Sequence, residues 1–408
     1  MIRRGFVIVH RWAGLAMAAF LILEGLTGSL LAFRGPLERL LAPQHFAKHR
    51  EGVPRLDLAA LALKAEALVP NARVAYFSYG DDQVVFACPP RVDPATGKPF
   101  ALDFYNLFLD PWTGKELGRR PLHPAPWSRA GLMPFLFDLH MALALGGAGV
   151  TFLGAVALVW TFDAFVGFYL TLPSRRTGFW RRWRPAWLVK WSTRNAFRIN
   201  FDVHRASGLW LWPILFVFSW SSVMLNLGAV YDWTMGKLFD YESDMAWFAS
   251  RPLPPNETPR LGWREAQATG ERLMAEEAAR RGFRLGEPNG LAYLPELGVY
   301  SYDVHSTLDV RASGWNTGVW LDGNTGEPRR YFLPTGERSG TTITTWLGAL
   351  HFADVGGSFV YRVFVSVLGV GLVALSGTGV YIWWKKRRGR VPAGQARAAR
   401  PASGTITE

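Results

Sequence analysis

Four of the eight histidines in this 408-residue chain stand at repeated positions. His10-Arg11-x-x-Gly14-Leu15 is matched by His204-Arg205-x-x-Gly208-Leu209, and Leu139-His140 with Gly146-Gly147 is matched by Leu350-His351 with Gly356-Gly357. Neutral imidazoles are metal ligands, and two that face each other with no Cys nearby form the ligand set of a b-type haem. No C-x-x-C-H occurs, so attachment would rest on coordination alone. The reading is therefore two haems b, with His10 and His204 as iron ligands of one and His140 and His351 of the other. Arg11, Arg205 and Arg362 are candidates to pair with propionates. A single imidazole at headgroup level is cheap, so the register of all four carries the reading. Glu24 and Asp163 fall near the middle of apolar stretches, where an ionisable group is a functional candidate. No acid–base or nucleophilic catalytic set is assigned.

These residues need elements to place them, and the composition says of what kind. Hydrophobic residues make up 49% and charged residues only 19%, which excludes a disordered chain, and one Cys excludes a disulfide scaffold. Four runs are long and apolar enough for a bilayer core of about 20 helical residues: Trp12 to Phe33, about 151 to 172, Leu209 to Val230 and Phe359 to Trp384. Glycines at 14, 25, 28, 154, 167, 369, 371, 377 and 379 suit close helix packing in lipid. The first run exceeds a signal-peptide core and no A-x-A site follows, so an uncleaved helix is expected.

The net charge of +13 divides unevenly. Residues 1–11, 173–204 and 385–408 carry +16 between them, leaving −3 elsewhere. Because Lys and Arg in short flanks set orientation, both termini and the 173–204 loop are expected in the cytoplasm and the remaining loops outside, in a bacterium the periplasm. The charge thus reports orientation in a lipid bilayer and leaves no case for nucleic acid.

The outer loops read as α+β modules. Asp57–Val69 and about 262–281 have helical periodicity, each followed by short β-rich runs, near 73–79, 83–87 and 103–109 in the first and 291–293, 299–305 and 317–321 in the second. Both close in the same turn, Leu109-Asp110-x-x-Thr113-Gly114 and Leu321-Asp322-x-x-Thr325-Gly326. The offsets are 194 residues for the first His pair, 212 for the turns and 211 for the second His pair, which makes the chain a tandem duplication. The expected fold is a membrane α-helical four-helix bundle with two outer α+β modules. Its helices are 1–34, 132–173, 204–230 and 346–386, its modules 35–131 and 231–345, with a basic loop at 174–203 and a basic tail at 387–408. One straight helix from His140 to Arg175 would be about 52 Å long, a span that tilt, a break at Gly146-Gly147 and Gly356-Gly357, or an aromatic stepping stone such as Trp160 or Trp220 would shorten.

His10-Arg11-Trp12-x-Gly14-Leu15, Gly25-Leu26-Thr27-Gly28-Ser29-Leu30, the two L-D-x-x-T-G turns and the Gly379-x-Tyr381-Ile382-Trp383-Trp384-Lys385-Lys386 ending together resemble the PepSY-associated transmembrane-helix family, over nearly the whole chain to about Arg388. The family includes inner-membrane ferric-siderophore reductases. The resemblance implies a four-helix core in the bacterial inner membrane, two periplasmic PepSY-like modules, haem b on helix histidines, and an oxidoreductase that reduces a periplasmic ferric siderophore or other iron chelate to release Fe²⁺. Two positions depart from the family pattern: Gly149 is followed by Val150 where an Arg is common, and Trp220-Ser221-Ser222 stands where a Thr-Gly is common. No G-x-G-x-x-G lies between a strand and a helix, so the electron donor is expected to be another protein, a cytosolic reductant or quinol. The alternative from another class is a non-enzymatic membrane sensor or assembly factor binding a periplasmic partner protein. A transporter fits less well, because no pair of spans is interrupted by proline.

Overall fold

The computed structural model describes residues 1–80 and 82–388; positions 389–408 of the expected basic tail lie outside the described residues. The chain forms two compact units. One comprises Met1–Leu26, Val156–Ser219 and the chain from Val367; the other comprises Thr27–Ala155 and Trp220–Ser366.

Helices dominate the first unit. Ile2–Leu31, Gly146–Thr171 and Phe359–Arg388 are each long and apolar enough to cross a membrane, and this is a multi-pass membrane protein. A fourth crossing exists only if Ala196–Trp210 and Trp212–Asn226, bent by 69°, are one span. The run 209–230, expected as one helix, is thus broken at Leu211 and again at Leu227. Pro213 supplies the first break: it has no N–H for the helical ladder and its ring crowds the turn before it, while the apolar pattern continues unchanged across it.

Met17, Leu21, Leu215, Leu368 and Leu372 form the buried centre of this unit. A Cβ on Gly25 would sit 2.6 Å from the carbonyl oxygen of Gly369, so the Ile2–Leu31 and Phe359–Arg388 helices meet there backbone to backbone. Gly14 and Gly377 face open space and mark no such crossing. From the first turn of Ile2–Leu31, the Arg3 guanidinium donates to the carbonyls of Leu170 (2.6 Å) and Leu172 (2.9 Å) at the end of Gly146–Thr171, where the helix leaves carbonyls unsatisfied. Asp202 is buried between Arg198 and Arg205, 2.9 Å from each.

The second unit holds two small antiparallel sheets. Strands β1 (Tyr76–Tyr79), β2 (Val84–Ala87), β3 (Phe104–Leu109) and β4 (Glu116–Pro121) form a meander in chain order, as do β5 (Leu285–Leu294), β6 (Val299–Ser306), β7 (Gly318–Asp322) and β8 (Pro328–Phe332). The helices Leu58–Leu68 and Trp263–Arg281 fall where the periodicity predicts them. Strands β4 and β8 were not expected. Their sequences, ELGRRP and PRRYF, carry arginine where a half-buried strand usually alternates apolar residues, and they are edge strands whose outer face is wet.

The two sheets do not stand as separate modules. Leu58, Leu61, Phe86 and Leu107 from the first half share one buried cluster with Trp263, Met274, Tyr302 and Leu321 from the second. The Tyr293 N–H donates to the Ala75 carbonyl (3.2 Å), the Ala59 N–H to Gln267 Oε1 (2.8 Å), and the Arg73 guanidinium pairs with Glu257 and Glu296 across the seam.

The hairpin turns are duplicates in atomic detail. Asp110 Oδ1 accepts from the N–H groups of Trp112 (2.8 Å) and Thr113 (3.2 Å), and Asp322 Oδ1 accepts from those of Asn324 (2.8 Å) and Thr325 (3.1 Å). Gly114 and Gly326 follow at φ 68° and 73°, where a side chain would be strained.

The expected single helices 132–173 and 346–386 are each two. Arg129–Ala142 ends in left-handed residues, Leu143 and Ala144 at φ 53° and 55°, before Gly146–Thr171 begins. Ser339–His351 is likewise separated from Phe359–Arg388 by Ala353 at φ 53° and by Gly356 and Gly357 at φ 54° and 70°. A Cβ on Gly149 would collide with the carbonyl of Ala142, which is why glycine follows the first break. His140 and His351 therefore sit in the last turns of helices that precede the spans, and a straight 52 Å helix does not exist.

Asp110→Ala and Asp322→Ala should each lower stability by about 1–2 kcal/mol, through the loss of two hydrogen bonds in a tight turn, and thermal unfolding of the detergent-solubilised protein reads this. A second expectation concerns pH. Burial pushes the Asp303 carboxyl up to about 7, opposed by its bond from the Ser301 hydroxyl and reinforced by Asp244 and Asp309. The unfolded chain loses this proton near pH 4 and the folded one near 7, so stability should fall as pH rises between those values and then level off. Asp303→Asn should flatten that slope in unfolding curves taken from pH 4 to 8.

Candidate functional site: two facing imidazole pairs

The first pair lies within the first unit. His10, on Ile2–Leu31, and His204, on Ala196–Trp210, have ring centroids 6.2 Å apart with 54° between the planes. Helix neighbours hold each ring by its Nδ1. His10 Nδ1 lies 3.0 and 2.9 Å from the two oxygens of Asp163, and His204 Nδ1 lies 3.0 Å from the Leu375 carbonyl and 3.3 Å from Thr378 Oγ1. A carbonyl can only accept, so Nδ1 of His204 carries the proton, and Nε2 keeps the lone pair a metal needs.

Two glycines make room for the rings. A Cβ on Gly167 would lie 3.3 Å from His10 Cε1, and one on Gly379 would lie 3.2 Å from His204 Cε1. These are the glycines of the two Gly-x-Tyr motifs that end the second and fourth apolar runs. Both rings open on a cavity of about 490 Å³, which Trp160, Trp212, Arg11 and Arg205 also line. Arg205 donates to Asp202 and to the Pro185 carbonyl and packs over Phe201, while its buried Nε has no acceptor among the described residues.

The second pair lies within the second unit. His140 and His351 have centroids 6.4 Å apart and planes at 60°. Their Nδ1 atoms are each 2.8 Å from a hydroxyl, Thr27 Oγ1 and Ser221 Oγ respectively. A Cβ on Gly28 would lie 3.2 Å from His140 Cε1, repeating the glycine contact of the first pair. Arg362 is in the first turn of Phe359–Arg388, and among the described residues no hydrogen bond joins its side chain to either ring.

The spacing suits one metal ion bonded to both rings. Metal–nitrogen bonds of about 2 Å and a ring radius of about 1.15 Å would let the centroids of two imidazoles sharing one metal lie up to roughly 6.3 Å apart. Among the described residues no group of three or more His, Cys, Asp or Glu gathers as a metal site, so the remaining ligands would have to come with the metal.

Of the expected site residues, the structure brings together His10 with His204 and His140 with His351, and places Arg11 and Arg205 on the first cavity. Sequence reading missed the Nδ1 partners Asp163, Thr27, Ser221 and the Leu375 carbonyl. The repeat could have found them: Thr27 and Ser221 are related by the 194-residue offset of His10 and His204, and residues 163 and 375 by the 212-residue offset of the turns. Trp220 packs on Tyr231, His305 sits 3.4 Å from Asp309, and Cys88 is a buried free thiol pushed up to about 11 by burial.

Comparison with known proteins fits this architecture. Over 223 residues the chain is 26% identical to a Pseudomonas aeruginosa protein described as uncharacterized protein PA4219, with 51% of this chain aligned. It spans about half the length of that relative, 54%. The family model described as "PepSY-associated TM region" matches residues 7–386, so the chain belongs to the PepSY-associated transmembrane family.

Proposed function

We propose that the protein is a haem b-dependent oxidoreductase of the bacterial inner membrane, a four-helix core with both termini cytoplasmic, which carries electrons outward to reduce a ferric siderophore or similar chelate and release Fe²⁺. What carries the reading is the pair of ring spacings, 6.2 and 6.4 Å, each close to what two imidazoles sharing one iron would need. A bound haem would supply a one-electron carrier at each pair.

The chain's own residues supply the rest. His10 and His204 would hold one iron and His140 and His351 the other, with every Nδ1 anchored so that the rings cannot turn. Arg11 and Arg205 bring cations to the first cavity, where they could pair with carboxylates. Met17, Leu21, Leu215 and Leu372 give the same cavity apolar walls. Among the described residues, the Arg362 side chain makes no hydrogen bond to the second pair.

For the chelate, the second unit offers a cavity of about 810 Å³, within the range of small-molecule sites. Tyr105, Tyr241, Trp263, Tyr293 and Trp320 give it aromatic walls, and Arg73, Arg91 and Arg330 lie among its carboxylates. The donor is a cytosolic reductant or quinol. A purely structural role for the histidines, as in a sensor or assembly factor, gives no reason for two imidazole pairs at metal-bridging distance.

Purified protein from haem-replete cells should show a dithionite-reducible b-type spectrum with about two haems per chain. His204→Ala and His351→Ala should each leave about one, and a colourless protein would end the proposal. The reduced protein mixed with a ferric siderophore should reoxidise within the mixing experiment and yield Fe²⁺ trapped by a ferrous chelator; reduced haem that persists would exclude this substrate class.

A further inference from the structure

The duplication treats the two imidazole pairs differently. In the second pair both Nδ1 partners are neutral hydroxyls at equivalent positions, Thr27 and Ser221. In the first pair equivalence fails: position 375 offers His204 its backbone carbonyl, while position 163 offers His10 a carboxylate. Asp163 is 7% exposed, and both its oxygens lie within 3.0 Å of His10 Nδ1. Arg3 and Arg11 line the same cavity, yet among the described residues the ion pair of Asp163 is with His10.

A carboxylate that accepts the Nδ1 proton of a metal-bound imidazole makes the ring a stronger donor. It also places a negative charge beside the metal in a low-dielectric interior. Both effects favour the higher oxidation state. Hydroxyl partners do neither to the same degree.

Resting on the haem reading above, we infer that Asp163 is a positioning residue that sets the His10/His204 site at a lower reduction potential than the His140/His351 site, so that electrons run from the first to the second. The transfer this favours moves one electron, oxidising the first site and reducing the second. No bond is made or broken and no proton moves. The electron originates with the cytoplasmic donor and ends on the ferric chelate.

Redox titration followed by haem absorbance tests this on the full-length protein. His351→Ala, retaining the first site, should titrate at a lower potential than His204→Ala, retaining the second. The reverse order, or equality, overturns the inference. In the otherwise native protein, Asp163→Asn should raise the lower of two waves by at least a ten-fold change in equilibrium constant, about 59 mV for one electron, and leave the other in place. Asp163→Glu, which keeps the charge, should move it less. An unmoved wave in Asp163→Asn with both haems bound also overturns the inference. If that variant sheds one haem, the comparison of the two single-site proteins decides. A native protein that binds no haem sinks the functional proposal itself, and is told apart by its missing spectrum.

Discussion

An imidazole removed from water must find a partner for its ring N–H, and much of this protein is arranged around meeting that requirement four times. Each partner is an oxygen on another helix: Asp163 and Leu375 for the first pair, Thr27 and Ser221 for the second. Close approach of the ring leaves little space for a side chain on the facing helix, and glycines stand opposite His10, His140 and His204. Oxygen and glycine together fix where the helices can approach one another. Among the small-residue positions that look from the sequence like general packing devices, some seat a ring and others, like Gly25, let two backbones touch, while Gly14 and Gly377 do neither.

Much of this organisation can be read from the chain. Helix positions follow from long apolar runs, and the paired turns from Asp, Thr and Gly at fixed spacing, because in both cases local chemistry decides the local structure. The histidine pairs were reachable only through the repeat, since no local signal relates His10 to a residue 194 positions away.

What stayed hidden has physical causes. Hydropathy is blind to backbone direction, so the break beside Pro213 and the left-handed residues Leu143, Ala144 and Ala353 lie inside or beside runs that look continuous. The left-handed positions are occupied by residues with a Cβ, where sequence patterns lead one to expect glycine. Strands β4 and β8 were missed because an edge strand can be rich in arginine and still complete its hydrogen bonds with one neighbour. The backbone carbonyl of Leu375 as a histidine partner leaves no trace in residue type at all.

The shared core of the two sheets governs how the protein comes into being. Leu58, Leu61, Phe86 and Leu107 are made early, while Trp263, Met274, Tyr302 and Leu321, which cover them, follow only after two further apolar helices have been synthesised. At about 5–20 residues per second, the 212 residues between the two turns take roughly 10–40 s. For that interval the residues that complete the first sheet's core have not yet been made. A nascent chain in this state must be sheltered from its neighbours, and the burden falls on the cell rather than on the sequence.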